Sequence, residues 1–177
     1  MLSETEERVP LADSLDKFIL SIGRAVSWAN LLLILVTVMQ VILRYGFRHG
    51  LVMLEELEWH LYALAYMIGL SYAMITDSHV RVDVITGRFS ARTKAVIDLL
   101  GHVFLLLPLL LVLIYYGMEF THSSFKLMEH SNAPLGLPYR WVIKSVIPVS
   151  FALMVVAAAS RIIRCLVIIK GGPRGSN

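Results

Sequence analysis

Four long apolar stretches, separated by short polar segments, dominate the hydrophobic pattern of this chain. A helix needs about 20 apolar residues to cross a hydrocarbon core roughly 30 Å thick. The uncharged centres of the four stretches lie at residues 25–43, 59–76, 99–118 and 145–160. Because charged heads at the ends can snorkel to the interfaces, we predict membrane spans at approximately 18–43, 57–76, 96–118 and 141–166. Residues 1–170 then form one four-helix membrane domain, and residues 171–177, GGPRGSN, form a flexible tail.

The composition also indicates an integral membrane protein. Of the 177 residues, 57% are hydrophobic and only 16% are charged, whereas a soluble domain carries about 25% charged residues. The mean hydropathy is +0.71. We therefore predict an all-α membrane protein with four transmembrane helices, short loops and a surrounding phospholipid bilayer. The N-terminal segment lacks the basic start and the cleavage pattern of a signal peptide, so we expect the first helix to be retained.

Lysine and arginine residues are distributed unequally between the two sides of the predicted membrane domain. Eleven fall in the N-terminal segment, the second loop and the C-terminal segment, and five fall in the first and third loops. Cytoplasmic loops carry an excess of these residues. The distribution therefore predicts that both termini and the second loop lie in the cytoplasm, although the formal net charge is only +3.

The segment HVRVDVITGRFS, residues 79–90, follows the second predicted span. Its apolar residues recur at spacings of three and four: Val82, Ile85 and Phe89. This spacing predicts a short segment that lies in the membrane interface, with neighbouring arginines towards anionic headgroups. His79 and Asp83 are four residues apart, so we predict that they meet on one turn and fix the loop, with a proton relay as the alternative. Ser90 is the predicted N-cap of the third helix.

Two charged residues flank the first loop. Arg44 ends the first predicted span, and Glu56 opens the second on the same side of the membrane. The eleven residues between them, YGFRHGLVMLE, are able to turn back and bring the two side chains together. We therefore predict an Arg44–Glu56 ion pair near the interface, where each charge needs the other. The alternative is two separate charges solvated at headgroup level.

Two helix faces carry small or polar residues at helical spacing. The second span carries the stripe Ala65, Gly69 and Ala73. The first span carries Ser27, Asn30 and Thr37 on one face. Small residues let another helix approach closely, and hydroxyl or amide groups hydrogen-bond to it. Both faces therefore predict contacts with other helices, and a substrate-lining role for the polar face is the alternative.

Several chemistries are disfavoured by the positions of the polar residues. A b-type haem between helices needs two histidines at matching depth, but His60 and His102 lie near opposite ends of their spans. No His-x-His or His-x-x-x-His spacing supports a metal site. The centres of the first three spans contain no Asp, Glu, Lys or Arg, which a pump or a small multidrug exporter requires. We therefore predict no enzymatic activity and no cofactor in this chain, and no nucleic-acid partner.

The order of several short motifs is recognisable. An arginine ends the first span, EE opens the second, Gly69 lies within it, HVRVD follows it, and LGLPYRW precedes a last span that contains Pro148. This order resembles the small membrane subunit of tripartite ATP-independent periplasmic (TRAP) transporters, the DctQ-type family. The resemblance covers approximately residues 15–170. It implies a subunit of the bacterial inner membrane with four helices and cytoplasmic termini.

The resemblance also implies an accessory role in transport. In that family a large, elevator-type membrane subunit carries the substrate and the coupling sodium ions, so sodium is expected in that subunit. A periplasmic binding protein delivers a carboxylate, such as a C4-dicarboxylate, a keto acid or a sialic acid, and the small subunit braces the static scaffold. Arg44, Glu56, His79 and Asp83 match recurrent positions of the family, as structural residues rather than substrate ligands. The alternative interpretation is the membrane-anchor subunit of a redox enzyme complex.

Overall fold

The computed structural model describes residues 9–76 and 89–171, and the described part is helical without strands. The helices are α1 (Pro10–Val41), α2 (Val52–Ile75), α3 (Ala91–Leu100), α4 (Leu107–Lys126) and α5 (Arg140–Gly171). Two π-helical segments continue the first and third of these: π1 (Ile42–Gly46) after α1, and π2 (Gly101–Leu106) between α3 and α4. The all-α prediction is therefore confirmed for the described residues.

Within the described residues, three helical runs are long and apolar enough to cross a membrane: Pro10–Gly46, Ala91–Lys126 and Arg140–Lys170. The helix α2 is 24 residues long. It carries three glutamates near its start and three tyrosines further along, and it is not among these three runs. The fourth predicted span and the cytoplasmic position of the termini therefore stay predictions.

Local sequence accounts for where the helices begin. Pro10 occupies the first turn of α1, where its missing N–H has no intrahelical acceptor to lose. Ser90 caps α3 by accepting a hydrogen bond of 3.2 Å from the backbone N–H of Thr93, as the sequence predicts. Leu51, which precedes α2, is held by Gln40 instead of by a side-chain cap. The Gln40 amide donates to the carbonyl of Leu51 (3.2 Å) and accepts from its N–H (3.4 Å).

The last helix, α5, is the centre of the packing. It contacts α1, α2, α3 and α4, whereas α1 packs mainly against α2, and α4 mainly against α5. The small buried residues Ala157 and Ala158 of α5 pack with Ile19 of α1 and Met74 of α2 in the apolar core. Small residues at these positions let the helix backbones approach closely.

Glycines mark two further close crossings. A Cβ atom at Gly117 of α4 would lie 3.2 Å from Ile147 and 3.3 Å from Pro148 of α5. At the crossing of α1 and α2, a Cβ atom at Gly23 would overlap the ring of Tyr72. The glycine that the α1–α2 contact requires is therefore Gly23, a residue outside the small-residue stripe that the sequence singles out.

Candidate functional site

The ion pairs of the described residues lie at the two ends of the helices. We call the end where α1 begins and α5 ends the terminal end. We call the opposite end, where α1 and α4 end and α2 and α5 begin, the loop end. Each end holds a cluster of ion pairs and hydrogen bonds, and two small cavities lie between α1 and α2.

At the terminal end, two aspartates of α1 bind one arginine of α5. Arg164 donates from Nη2 to Asp13 Oδ1 (2.8 Å) and to Asp16 Oδ2 (2.6 Å). The Ser160 hydroxyl donates to Asp16 Oδ1 at 2.5 Å. The side chains of Arg164 and Asp16 are only 13% and 16% exposed, so solvent screens this interaction weakly. The cluster fixes the rotation of α5 against α1.

A second arginine of α5 caps the C-terminus of α2. Arg161 donates from Nε and Nη2 to the carbonyl of Met74 (3.2 and 2.9 Å), and from Nη2 to the carbonyl of Ile75 (2.8 Å). The last carbonyls of a helix have no intrahelical donor, and a guanidinium supplies several N–H groups in one plane. Arg161 thus ties α2 to α5 in the same way that Arg164 ties α1 to α5.

Sequence reasoning missed both of these contacts. It used Arg161 and Arg164 only for the charge bias that sets orientation and, in the case of Arg161, as the charged end of the last apolar stretch. A signal was present, because Asp13 and Asp16 are three residues apart near the first predicted span, and so are the two arginines near the last. Residues three apart share a helix face. The predicted topology also places both pairs on one side of the membrane.

At the loop end, the α4–α5 loop is fastened to the start of α2 by Glu56. Its Oε1 accepts a hydrogen bond from the Ser131 hydroxyl, and its Oε2 accepts one of 2.5 Å from the backbone N–H of Leu137. Gly136 lies so close that an added Cβ atom would be 2.8 Å from Glu56 Oε1. One carboxylate therefore organises a loop that follows it by 75 residues.

Glu129 anchors the same loop to α5. Its carboxylate accepts a hydrogen bond from Lys144 Nζ and lies 3.8 Å from Arg140 Nη1. Its backbone carbonyl accepts a hydrogen bond of 3.1 Å from the N–H of Arg140, the first residue of α5. The hydrogen bond from Lys144 is the main reason that the pKa of Glu129 lies below its ordinary value of 4.5.

The predicted Arg44–Glu56 ion pair is not formed among the described residues. Glu56 faces the α4–α5 loop. Arg44, in π1, instead lines a cavity together with Glu55 and Glu58. Consecutive residues of a helix point about 100° apart, so Glu56 cannot share the face of Glu55. The prediction placed Arg44 at the correct end of the helices but chose the wrong carboxylate as its neighbour.

The stripe Ala65, Gly69 and Ala73 lies on a half-buried face of α2. No atom would lie within 4 Å of a Cβ added at Gly69, so no close helix crossing occurs there within the described chain. Gly69 and Ala65 instead line a cavity of about 250 Å³ with Ser27 and Asn30 of α1. We call this cavity the α1–α2 groove. The third residue of the polar face on α1, Thr37, lines the cavity next to Arg44.

His60 of α2 and His102 of π2 each contact a backbone carbonyl of the preceding turn. The Nδ1 atom of His60 is 2.6 Å from the carbonyl of Glu56, and that of His102 is 2.5 Å from the carbonyl of Asp98. Each of these contacts occupies one of the two ring nitrogens, Nδ1. His79 and Asp83, the other predicted site residues, lie outside the described residues.

A comparison with protein families gives one match, to the family described as "Tripartite ATP-independent periplasmic transporters, DctQ component", over residues 33–167. The chain belongs to this DctQ family. The family is a component of a transporter and not an enzyme, which confirms the resemblance and sets aside the redox-enzyme anchor. A comparison with curated proteins gave no match. The matched part of this DctQ chain includes π1, α2, the α4–α5 loop and most of α5, but not Asp13 and Asp16.

Replacing Glu56 should loosen the α4–α5 loop of this DctQ protein. Glu56→Ala removes the acceptor of two hydrogen bonds and should lower the unfolding temperature of the chain. Arg44→Ala should not rescue it, because the two side chains have different neighbours. Thermal unfolding of both single variants and the double variant measures this. If the double variant were clearly more stable than Glu56→Ala alone, this result would support the predicted Arg44–Glu56 ion pair.

The lowered pKa of Glu129 predicts a stability that depends on pH. A carboxylate whose pKa is lower in the folded than in the unfolded state stabilises the fold above its ordinary pKa, and this contribution is lost as the pH falls through the folded value. The loss should therefore occur below about pH 4.5. Glu129→Gln should flatten that part of the curve of unfolding temperature against pH. The exposed Glu119 of α4 provides the control, since Glu119→Gln should leave the curve unchanged.

Proposed function

We propose that this chain is the accessory permease subunit of a TRAP transporter and braces the static scaffold of a large, elevator-type subunit. In this proposal the large subunit performs sodium-coupled uptake of a carboxylate, which a periplasmic binding protein delivers. Membership of the DctQ family supports a role in such a complex. The ion pairs of the described residues support a bracing role, because they join α1 to α5 at one end and the α4–α5 loop to α5 at the other.

We also propose that α2 is the fourth span and that both termini are cytoplasmic. The helix has 24 residues, which corresponds to about 36 Å at 1.5 Å per residue. It packs between α1 and α5, both of which belong to membrane-length runs. Trp59 and Tyr62 stack edge to face near its start. Exposed aromatic rings of this kind are typical of the level where a helix leaves the hydrocarbon.

The α1–α2 groove is the observation that best supports contact with a larger partner. It is open, it is lined by the small residues Ala65 and Gly69, and it contains the exposed amide of Asn30. No described residue hydrogen-bonds to that amide. Asn30 lies in the middle of an apolar run, where an amide without a partner is costly in hydrocarbon. A helix of the large subunit that enters the groove would supply both the close packing and the hydrogen bond.

Reconstitution into liposomes tests the proposed function. The chain alone should give no uptake of a C4-dicarboxylate, a keto acid or a sialic acid, with or without a sodium gradient. The chain together with the large subunit, the binding protein and inward-directed sodium should take up one of these substrates. Uptake by the chain alone above that of empty liposomes, or full uptake by the large subunit without this chain, would contradict the accessory role.

A leucine at Gly69 tests the groove as the contact surface. Because no atom of the described chain lies near an added Cβ atom, Gly69→Leu should leave the unfolding temperature of the isolated chain nearly unchanged. In the complex the side chain would overpack a helix crossing, at a cost of about 1–3 kcal/mol, which corresponds to a roughly 5- to 150-fold weaker association. Co-purification with the large subunit measures this.

Two other glycines provide matched controls for Gly69→Leu. Gly101→Leu, in π2, also meets no atom within 4 Å and should affect neither stability nor association. Gly23→Leu would collide with Tyr72 and should destabilise the isolated chain itself. If the Gly69→Leu variant co-purifies as well as the wild type, the groove faces lipid and not the large subunit.

A further inference from the structure

A second cavity, which we call the π1 cavity, lies at the loop end between α1 and α2. Its volume is about 180 Å³, more than a single water molecule needs. It is lined by Thr37, Gln40, Arg44, Tyr45, Glu55 and Glu58. One guanidinium and two carboxylates thus share a small space beside an apolar helix surface. The proposed bracing role does not require this cavity.

One of these carboxylates has an unused acceptor. The Oε1 atom of Glu58 is buried and has no hydrogen-bond partner among the described residues. A buried acceptor without a donor is costly, and native proteins supply one from the protein, from water or from a ligand. No salt bridge joins Arg44 to either carboxylate in this part of the chain. The charged groups of the cavity therefore surround an open space and form no ion pair with one another.

The walls of the cavity are held in place. Gln40 is buried and makes two hydrogen bonds to the backbone of Leu51, which joins the end of α1 to the start of α2. Arg44 and Tyr45 belong to π1, whose wider turn changes the direction in which they leave the helix. Single π turns inside α-helices occur frequently at functional sites. The backbone thus positions Arg44 opposite Glu55 and Glu58 before any ligand arrives.

The depth of the cavity indicates what reaches it. It lies where the apolar run of α1 ends, and the exposed rings of Tyr45 and Trp59 are near it in sequence. Tyrosine and tryptophan are enriched at the level of the lipid headgroups. Val41, on the wall of the cavity, is apolar and exposed, and is placed to contact a lipid chain below a headgroup.

We infer that the π1 cavity binds the headgroup of phosphatidylethanolamine, with its ammonium against Glu55 and Glu58 and its phosphate against Arg44. The ammonium carries N–H donors, and the carboxylates of Glu55 and Glu58 that line the cavity are acceptors for them. A lipid with a net negative charge would meet two carboxylates against one guanidinium. Phosphatidylcholine has the same charges but no N–H donor. A metal cation would leave Arg44 beside a like charge.

The donor requirement is tested without any substitution. The purified full chain, in detergent, is titrated with dioleoyl phosphatidylethanolamine, its N-monomethyl and N,N-dimethyl derivatives, and dioleoyl phosphatidylcholine. Dioleoyl phosphatidylglycerol and soluble phosphoethanolamine are titrated in the same way, and the unfolding temperature is followed throughout. The rise should be largest for phosphatidylethanolamine and should shrink with each methyl group. An equal rise with phosphatidylcholine, or a larger one with phosphatidylglycerol, would overturn the assignment. An equal rise with soluble phosphoethanolamine would show that no lipid is required, and would overturn it as well.

Substitutions assign the effect to the cavity. Glu58→Gln and Arg44→Gln each remove a charged partner of the headgroup, and each should raise the concentration of phosphatidylethanolamine at half-effect roughly tenfold. The exposed residues Glu119 of α4 and Arg92 of α3 provide matched controls. Glu119→Gln and Arg92→Gln should behave as the wild type. An unchanged response in both cavity variants would refute the site.

The two tests remain informative if the variants or the complex fail. If neither cavity variant is recovered folded, the methylation series on the wild type decides the inference alone. Both tests use the chain without its proposed partner, so a failure to bind the large subunit would contradict the proposed function and leave the lipid result intact. Conversely, a chain that supports uptake equally in vesicles with and without phosphatidylethanolamine would retain the accessory role, while the titrations decide the lipid site.

Discussion

Two arginines of α5, one turn apart, hold the rest of this protein in place at its terminal end. Arg164 supplies the cation for Asp13 and Asp16 of α1, and Arg161 supplies donors for the last carbonyls of α2. Polar groups left unpaired next to hydrocarbon are costly, so these contacts fix the rotation and the height of α5 against both neighbours. The small core residues of α5 can pack closely only in that register.

The loop end is fastened by a different device. Glu56 binds the α4–α5 loop through a hydroxyl and a backbone N–H, and Glu129 binds α5 through Lys144. Between the two ends the helices meet through apolar and small side chains, and long apolar faces of α1 and α4 stay exposed. Contacts thus pin the helices at both ends and leave apolar surface exposed between them, which supports the proposed bracing role.

The two π segments show how local backbone and side-chain chemistry are linked. The segment π1 turns Arg44 away from Glu56 and towards Glu55 and Glu58, and it ends a helix whose buried Gln40 holds the next one. The segment π2 precedes Pro108, whose missing N–H would interrupt a regular α-helix. At π2 a change in the hydrogen-bond pattern of the helix replaces a break, so the chain continues from α3 into α4 without turning back.

Much of this architecture followed from the sequence, because burial in a membrane imposes a simple rule on it. Long uncharged runs such as residues 25–43 must be helical to satisfy their backbone groups. The N-cap Ser90 accepts its hydrogen bond from Thr93, only three residues further on, so this contact is also visible in the sequence. The family was recognisable for the same reason, since its motifs mark the ends of such runs. Side-chain partners between helices were decided by the tertiary structure alone. The sequence placed Arg44 and Glu56 at the same end of the helices. The rotation of α2, however, brings Glu56 into contact with Ser131. The position of α5 brings Arg164 into contact with Asp16, which lies 148 residues earlier in the chain. Rotation and height depend on all the packed surfaces together, and no local spacing contains that information.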